Sequence, residues 1–145
     1  MNKKKRFING FTNWLFEEYK VPRIPVKVMY RCDAIVDGGE KCNGYFGWDN
    51  GKMVILVAAK RLGLTKCLFV IAHEFVHYMQ YLNHRNMDEK EIIEEDAYYY
   101  ETPLVGKYIC NKRKKGSKIT GALDVAVPIR LARQEPPKED ADGPR

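Results

Sequence analysis

Residues 66–83 read Lys-Cys-Leu-Phe-Val-Ile-Ala-His-Glu-Phe-Val-His-Tyr-Met-Gln-Tyr-Leu-Asn, and apolar side chains recur through them at spacings of three and four. That spacing is typical of a single buried helical face, formed here by Leu68, Ala72, Phe75, Met79 and Leu82. Thr65 stands just before the run and can act as its N-cap. The sequence therefore predicts a long helix over residues 66–83.

This helix carries a His-Glu-x-x-His motif, made of His73, Glu74 and His77. Four residues of helix turn through about 400°, so the two histidines project from nearly the same face and can place ring nitrogens on one metal ion. Glu74 is rotated away from the pair, and its carboxylate can reach a water in the open position of the ion and remove a proton. Two nitrogen ligands without a nearby thiolate favour zinc, with iron, cobalt and nickel as alternatives.

The composition is that of a folded domain. The chain has 145 residues, of which 45% are hydrophobic, and this is enough to bury one core. Its longest apolar run, Met53 to Ala59, is far shorter than the stretch of about 20 residues that a membrane-spanning helix needs. Asn9, Asn13 and Glu17 interrupt what would be the apolar part of a signal peptide, so we expect a cytoplasmic protein.

The four cysteines are expected to be thiols, because disulfides are rare in a reducing cytosol. Cys32 and Cys42 flank Asp37 symmetrically, and in a regular hairpin they would be cross-strand neighbours. A second metal site or a redox pair is the alternative for these two cysteines, although their spacing is not that of a zinc ribbon. Buried thiols are predicted for this pair and equally for Cys67 and Cys110.

The positive charge is concentrated in two short segments. The chain has 25 Lys and Arg against 19 Asp and Glu, and the segments Lys3 to Arg6 and Lys112 to Lys118 hold nine of the basic residues and no acidic one. Without them the rest of the chain is mildly acidic. Such segments are typical of nucleic-acid contacts and also of solubilising tails, so nucleic-acid contact stays open and residues 1–6 are predicted to form a basic tail.

Upstream of the motif helix the sequence predicts one helix and three strands. Apolar residues between Phe7 and Tyr19 have helical spacing, and Pro22 closes the helix. Short apolar or alternating runs separated by turn residues then predict strands over Val26 to Tyr30, Tyr45 to Trp48 and Met53 to Ala59, arranged as a meander. We therefore expect an α+β fold with an antiparallel-rich sheet.

Downstream, Asp88 with Glu91 three residues later resembles a capping box and opens a second helix. Thr102-Pro103 is expected to end this helix, because the residue before proline is disfavoured in helical geometry. Residues 123–131 alternate as a strand at a sheet edge, and residues 134–145 are predicted to be disordered. A single domain is predicted over residues 7–133, with its core at 24–104.

The motif and its surroundings resemble the zincin metallopeptidases. The order of features, Gly44-Tyr45, then Ile55-Leu56-Val57, then the His-Glu-x-x-His helix, then Glu94-Glu95-Asp96-Ala97, is most similar to the gluzincin-like ImmA/IrrE family. The SprT-like group is the second choice, although its third histidine further downstream has no counterpart after His84. The resemblance covers roughly residues 44–104 and implies a minimal zincin-like fold.

The resemblance also implies a third metal ligand, Glu94, which stands three residues before Ala97 as the metal-binding glutamate of the family stands before its alanine. On a helical wheel Asp96 lies inside the apolar face and Glu94 at its margin. Asp96 and Glu95 therefore remain alternatives, either as the ligand or as acceptors that orient a histidine ring.

Two further residues have a structural and a functional interpretation. A continued helix would put His84 about 10 Å along the axis from His77, so we expect a surface residue rather than a ligand. Tyr98 replaces the Asn or Asp of the family, and its phenol could stabilise an oxyanion. For a run of tyrosines, the simpler interpretation is that the aromatic rings pack against apolar neighbours while the hydroxyl edge stays polar.

The sequence thus leads to one principal hypothesis and one alternative. The first is a zinc-dependent endopeptidase in which His73, His77 and Glu94 bind the ion and Glu74 is the general base; the resemblance implies a single regulatory protein as substrate. The alternative is a DNA-associated accessory protein with a structural or vestigial zinc site. A protease delivered to DNA-bound substrates by its basic segments combines the two, as the SprT-like resemblance suggests.

Overall fold

The computed structural model describes residues 3–117, with side chains described up to Lys112. They form a mixed α+β structure, as predicted, and fall into two compact units whose boundary lies between Phe75 and Val76, inside a continuous helix. The elements in chain order are α1 (Lys3–Glu18), β1 (Val26–Met29), β2 (Ile35–Asp37), β3 (Glu40–Cys42), β4 (Gly44–Asp49), β5 (Lys52–Ala58), α2 (Leu64–Leu82) and α3 (Lys90–Ser117).

The principal sheet has the strand order β1-β5-β4, so the predicted meander is wrong. β4 and β5 form the expected antiparallel hairpin, whose turn places Asn50 and Gly51 at φ 54° and 80°. β1 pairs instead with β5, and this pairing is parallel, with Val26 opposite Ile55. The apolar β5 becomes the central strand, because its mostly buried side chains need cover from both faces and a partner at both edges.

A separate two-stranded hairpin joins β2 to β3. Its turn is centred on Gly38 and Gly39, which have φ of 60° and 86°, and its register pairs Ile35 with Cys42. Cys32 therefore lies outside the hairpin and does not face Cys42, which corrects the expected cross-strand neighbours. The Cys42 thiol instead lies 3.5 Å from the Ile35 carbonyl oxygen.

Helix α1 begins at Lys3, so the basic segment is the first turn of a helix rather than a tail. Lys4 donates from Nζ to the Leu62 carbonyl oxygen at 2.7 Å. The ammonium groups of Lys4 and Lys5 lie 5.7 and 5.0 Å from the centre of the Tyr30 ring. One apolar face of α1 is buried, through Ile8, Phe11, Thr12, Leu15 and Phe16.

Helix α2 carries the motif and is buried along most of its second half. It begins at Leu64, and the Gly63 carbonyl accepts from the Cys67 amide at 3.0 Å, so Thr65 lies in the first turn and is not the N-cap. The predicted stripe is buried from Leu68 to Met79. At the other end, the Asn83 side chain donates to the Met79 carbonyl at 2.8 Å and closes the helix.

Helix α3 continues through Pro103 to Ser117, so the predicted end at Thr102 is wrong. Proline removes one backbone hydrogen bond and disfavours the helix. Leu104, Val105 and Tyr108 are nevertheless buried immediately after it, and their apolar burial outweighs this local cost. The helix starts at Lys90, where the Glu89 carbonyl accepts from the Ile93 amide at 3.0 Å.

The strand predicted at 123–131 and the disorder predicted at 134–145 lie outside the described residues. Among the helices that are described, none has both the length and the apolar character needed to cross a bilayer.

Candidate metal centre

The two histidines of the motif lie one turn apart on α2. Because the helix is continuous from Leu64 to Leu82, His73 and His77 keep the relative placement of residues four apart, with their side chains on one face. His77 is buried and His73 is half-buried. The helix therefore presents two imidazoles together at a site largely screened from solvent.

Glu94, on the second turn of α3, completes a group of three. Its Oε2 lies 3.2 Å from His77 Nε2, and one ligand atom each of His73, His77 and Glu94 lies within 4.8 Å of the other two. Glu94 is half-exposed, so the group opens toward solvent on the carboxylate side. The structure thus brings together the three residues that the sequence predicts as ligands.

The donor set and spacing of this group fit a zinc ion. Neighbouring ligands of a tetrahedral zinc with bonds of about 2.0–2.1 Å are about 3.3 Å apart, close to the distance between His77 and Glu94. Two nitrogens and one carboxylate oxygen form a ligand set typical of catalytic zinc, which keeps a fourth position open. The ligand atom of His73 lies within 4.8 Å of those of His77 and Glu94.

His77 is held from its other side by Gln80, a residue that the sequence analysis did not single out. His77 Nδ1 lies 2.8 Å from Gln80 Oε1, and Gln80 Nε2 donates to the Ile93 carbonyl oxygen at 3.0 Å. Gln80 is fully buried. Its position three residues after His77 on the same helical face was a signal available from the sequence.

Glu74 is buried, with 8% of its surface exposed, and it lies against the first residue of strand β4. A Cβ atom placed on Gly44 would be 2.8 Å from Glu74 Oε2 and 2.6 Å from Val70 Cγ1. The absence of a side chain at Gly44 therefore leaves the space that the Glu74 carboxylate occupies. In the sequence, Gly44 belongs only to the resemblance to the zincins, and no residue spacing predicts its contact with Glu74.

The Glu74 carboxylate also affects the pKa of the Cys42 thiol. Burial raises the pKa of the Cys42 thiol, and the negative charges of Glu74, Asp37 and Glu40 raise it further, in that order. The thiol form is thus favoured beside Glu74, as expected for a cysteine that is neither a ligand nor a nucleophile. All four cysteines are free thiols; Cys67 is buried, whereas the others are only half-buried.

The alternative ligands lie elsewhere. The Asp96 carboxylate accepts from Arg85 at 3.1 Å, and the Arg85 side chain is only 10% exposed. Glu95 is exposed, and neither acidic residue belongs to the group of three. Asp96 is therefore engaged by an arginine that joins the α2–α3 connection to α3.

His84 and Tyr98 are both exposed. His84 follows the end of α2 with a positive φ of 60°, and it is not part of the group. Tyr98 has 64% of its surface exposed, and its role in stabilising an oxyanion stays a prediction. Tyr99 is equally exposed and packs edge-on against Tyr100.

Of the second basic segment, only Lys112 has a described side chain, and its ammonium lies 5.9 Å from the centre of the Tyr108 ring. Contact with nucleic acid through the basic segments stays a prediction.

Comparison with protein-family models, curated proteins and solved structures finds no match to this chain. Functional assignment therefore depends on the site itself.

Proposed function

We propose that this protein is a zinc-dependent endopeptidase in which His73, His77 and Glu94 hold the ion and Glu74 is the general base. The observation that carries the proposal is the grouping of the three ligand atoms within 4.8 Å, beside a buried glutamate in the motif position. Helix α2 supplies two histidines and helix α3 supplies one carboxylate. Three protein ligands with a fourth position open are expected of a catalytic zinc, whereas a closed structural site has four.

A zinc ion in this group would supply Lewis-acid polarisation of a peptide carbonyl and lower the pKa of a water molecule. Glu74 would take a proton from the attacking water and pass it to the leaving amine. Its burial favours this role, because a carboxylate largely removed from bulk water interacts more strongly with a nearby proton donor. The half-exposed side of the group at Glu94 leaves an approach for substrate.

Strand β4 offers a binding edge for an extended peptide. In the described sheet β4 pairs on one side only, with β5, so its other edge has backbone donors and acceptors for a further strand. Gly44, at the start of this strand, lies against Glu74. A peptide added along β4 would therefore run close to the general base.

The first test is the metal content of the purified protein, measured by elemental analysis for the parent, His77→Ala and Glu94→Ala. We expect about one zinc per parent chain and loss of zinc in both variants, because three protein ligands are needed for tight binding. Zinc retained in Glu94→Ala would move the third ligand to another residue. A parent that binds no zinc would overturn the proposal.

The second part of the test concerns catalysis. Zinc-loaded parent and Glu74→Gln are incubated with a proteome-derived peptide library, and new termini are identified by mass spectrometry. We expect cleavage by the parent and a rate at least about 100-fold lower for Glu74→Gln, with zinc content unchanged, because the amide cannot accept the proton. Equal activity of the two proteins would show that Glu74 is not the general base and would overturn the proposal as stated.

A further inference from the structure

The buried amide of Gln80 connects the two elements that carry the ligands. Gln80 lies on α2 one turn after His77, and its side chain reaches α3 at Ile93, the residue before Glu94. Both polar ends of the amide are engaged, at 2.8 Å to His77 and at 3.0 Å to Ile93. None of its surface is exposed, so water does not compete for these two bonds.

The two bonds together determine where the proton of His77 lies. The Ile93 carbonyl oxygen can only accept, so the atom of Gln80 that faces it is the NH₂ group. The atom facing His77 is then the amide oxygen, which also can only accept. His77 Nδ1 must therefore carry a hydrogen, and Nε2, the nitrogen 3.2 Å from Glu94, is the one available to a metal ion.

We propose that Gln80 is a positioning residue of the zinc site: its amide holds His77 in the Nδ1–H tautomer with Nε2 directed at the ion, and anchors the backbone beside Glu94. This inference rests on the proposed function, since it assigns a role at the same site. Partners of this kind orient ligand histidines and raise their basicity, and they are most often carboxylates or backbone carbonyls. Here a neutral side chain fills the role and bridges to a second ligand-bearing helix.

The first experiment measures zinc affinity by competition with a chromophoric chelator. The variant Gln80→Leu removes the amide at similar volume, and we expect its zinc Kd to rise about 10- to 100-fold. Gln80→Glu keeps an acceptor for Nδ1–H but has no donor for the Ile93 carbonyl, so its zinc Kd should lie between those of the parent and of Gln80→Leu. Asn83→Ala is the matched control, because it deletes an amide that follows the last residue of the same helix and donates to the Met79 carbonyl.

The second experiment reads the tautomer without metal. In metal-free Glu94→Ala, where no carboxylate faces Nε2, the ¹⁵N shifts of the His77 ring are recorded at about pH 8, above the ordinary pKa of histidine. We expect the Nδ1–H form with Gln80 present, and population of the Nε2–H form when Gln80→Leu is added. The spectrum of Glu94→Ala with Gln80 intact also decides the matter should Gln80→Leu prove too unstable for metal titration.

The outcomes separate the two proposals. If the parent binds zinc but Gln80→Leu binds it equally tightly, or if Glu94→Ala with Gln80 intact shows the Nε2–H tautomer, the role of Gln80 is wrong and the peptidase proposal stands. If the parent binds no zinc, both proposals fail. Loss of affinity in Gln80→Leu with partial recovery in Gln80→Glu and no change in Asn83→Ala supports the positioning role.

Discussion

At the scale of single residues, the polar side chains of the motif helix are buried rather than solvated. Glu74, His77 and Gln80 have 8%, 7% and 0% of their surfaces exposed. Buried polar groups are costly unless they have partners, and His77 and Gln80 have them in each other, in Glu94 and in the Ile93 carbonyl. The polar face of this helix is thus buried, and His77 and Gln80 on it are connected by hydrogen bonds to each other and to α3.

Gly44→Ala tests the space that the Glu74 carboxylate requires. The new Cβ would lie 2.6 Å from Val70 Cγ1 and 2.8 Å from Glu74 Oε2, so one of these groups must shift. We expect a loss of about 1–3 kcal/mol in the free energy of unfolding, typical of overpacking, measured by urea denaturation. Zinc content should be unchanged, because neither shifted group is a ligand, while peptidase activity should fall with the displacement of Glu74. Unchanged stability and activity would contradict the close approach of β4 to Glu74.

At the scale of elements, the differences between prediction and structure arise where distant residues change the local balance. Proline at 103 predicts a helix end, yet α3 continues because the residues that follow are buried. Short strands predict a meander, yet β5 pairs in parallel with β1 and takes the central position. In both cases the local preference is a few kcal/mol at most, and tertiary burial exceeds it.

Gly106→Ala tests whether α3 continues beyond the proline. Gly106 lies inside the helix, is exposed, and has no atom within 4 Å of the position that a Cβ would take. Alanine should therefore stabilise the protein by roughly 0.5–1 kcal/mol, the difference in helix propensity, measured by urea denaturation. The same substitution has the opposite sign at Gly44, so the two variants control for each other. A helix that ended at Thr102, as the sequence alone predicts, would give no such gain.

At the scale of the whole molecule, the site depends on residues from two different helices. Glu94 is contributed by α3, and the histidines by α2, so an ion bound to all three would favour the folded state over the unfolded one. The net positive charge is also concentrated in the first half of the chain, because residues 1–75 contain thirteen Lys and Arg against seven Asp and Glu.

Zinc should therefore raise the melting temperature. With free zinc at about 100 times its Kd, the stabilisation is about 2.7 kcal/mol, which for a chain of 145 residues corresponds to a Tm increase of about 5–10 °C. Differential scanning calorimetry of metal-free and zinc-loaded protein measures it. His77→Ala should abolish the shift because one of three ligands is lost. A shift of equal size in that variant would place the bound zinc elsewhere.

The sequence by itself determined how the motif residues are placed, because His73, Glu74 and His77 lie on one helix and their relation follows from helix geometry alone. It also determined the α+β class, the three helices and the β4–β5 hairpin, since apolar periodicity and turn residues are local properties. Only the tertiary structure decided that Glu94 rather than Asp96 joins the histidines, that Gln80 bonds to Ile93 on α3, and that β1 pairs with β5. Those relations connect residues on different elements, and no spacing within one segment encodes the distance between two segments.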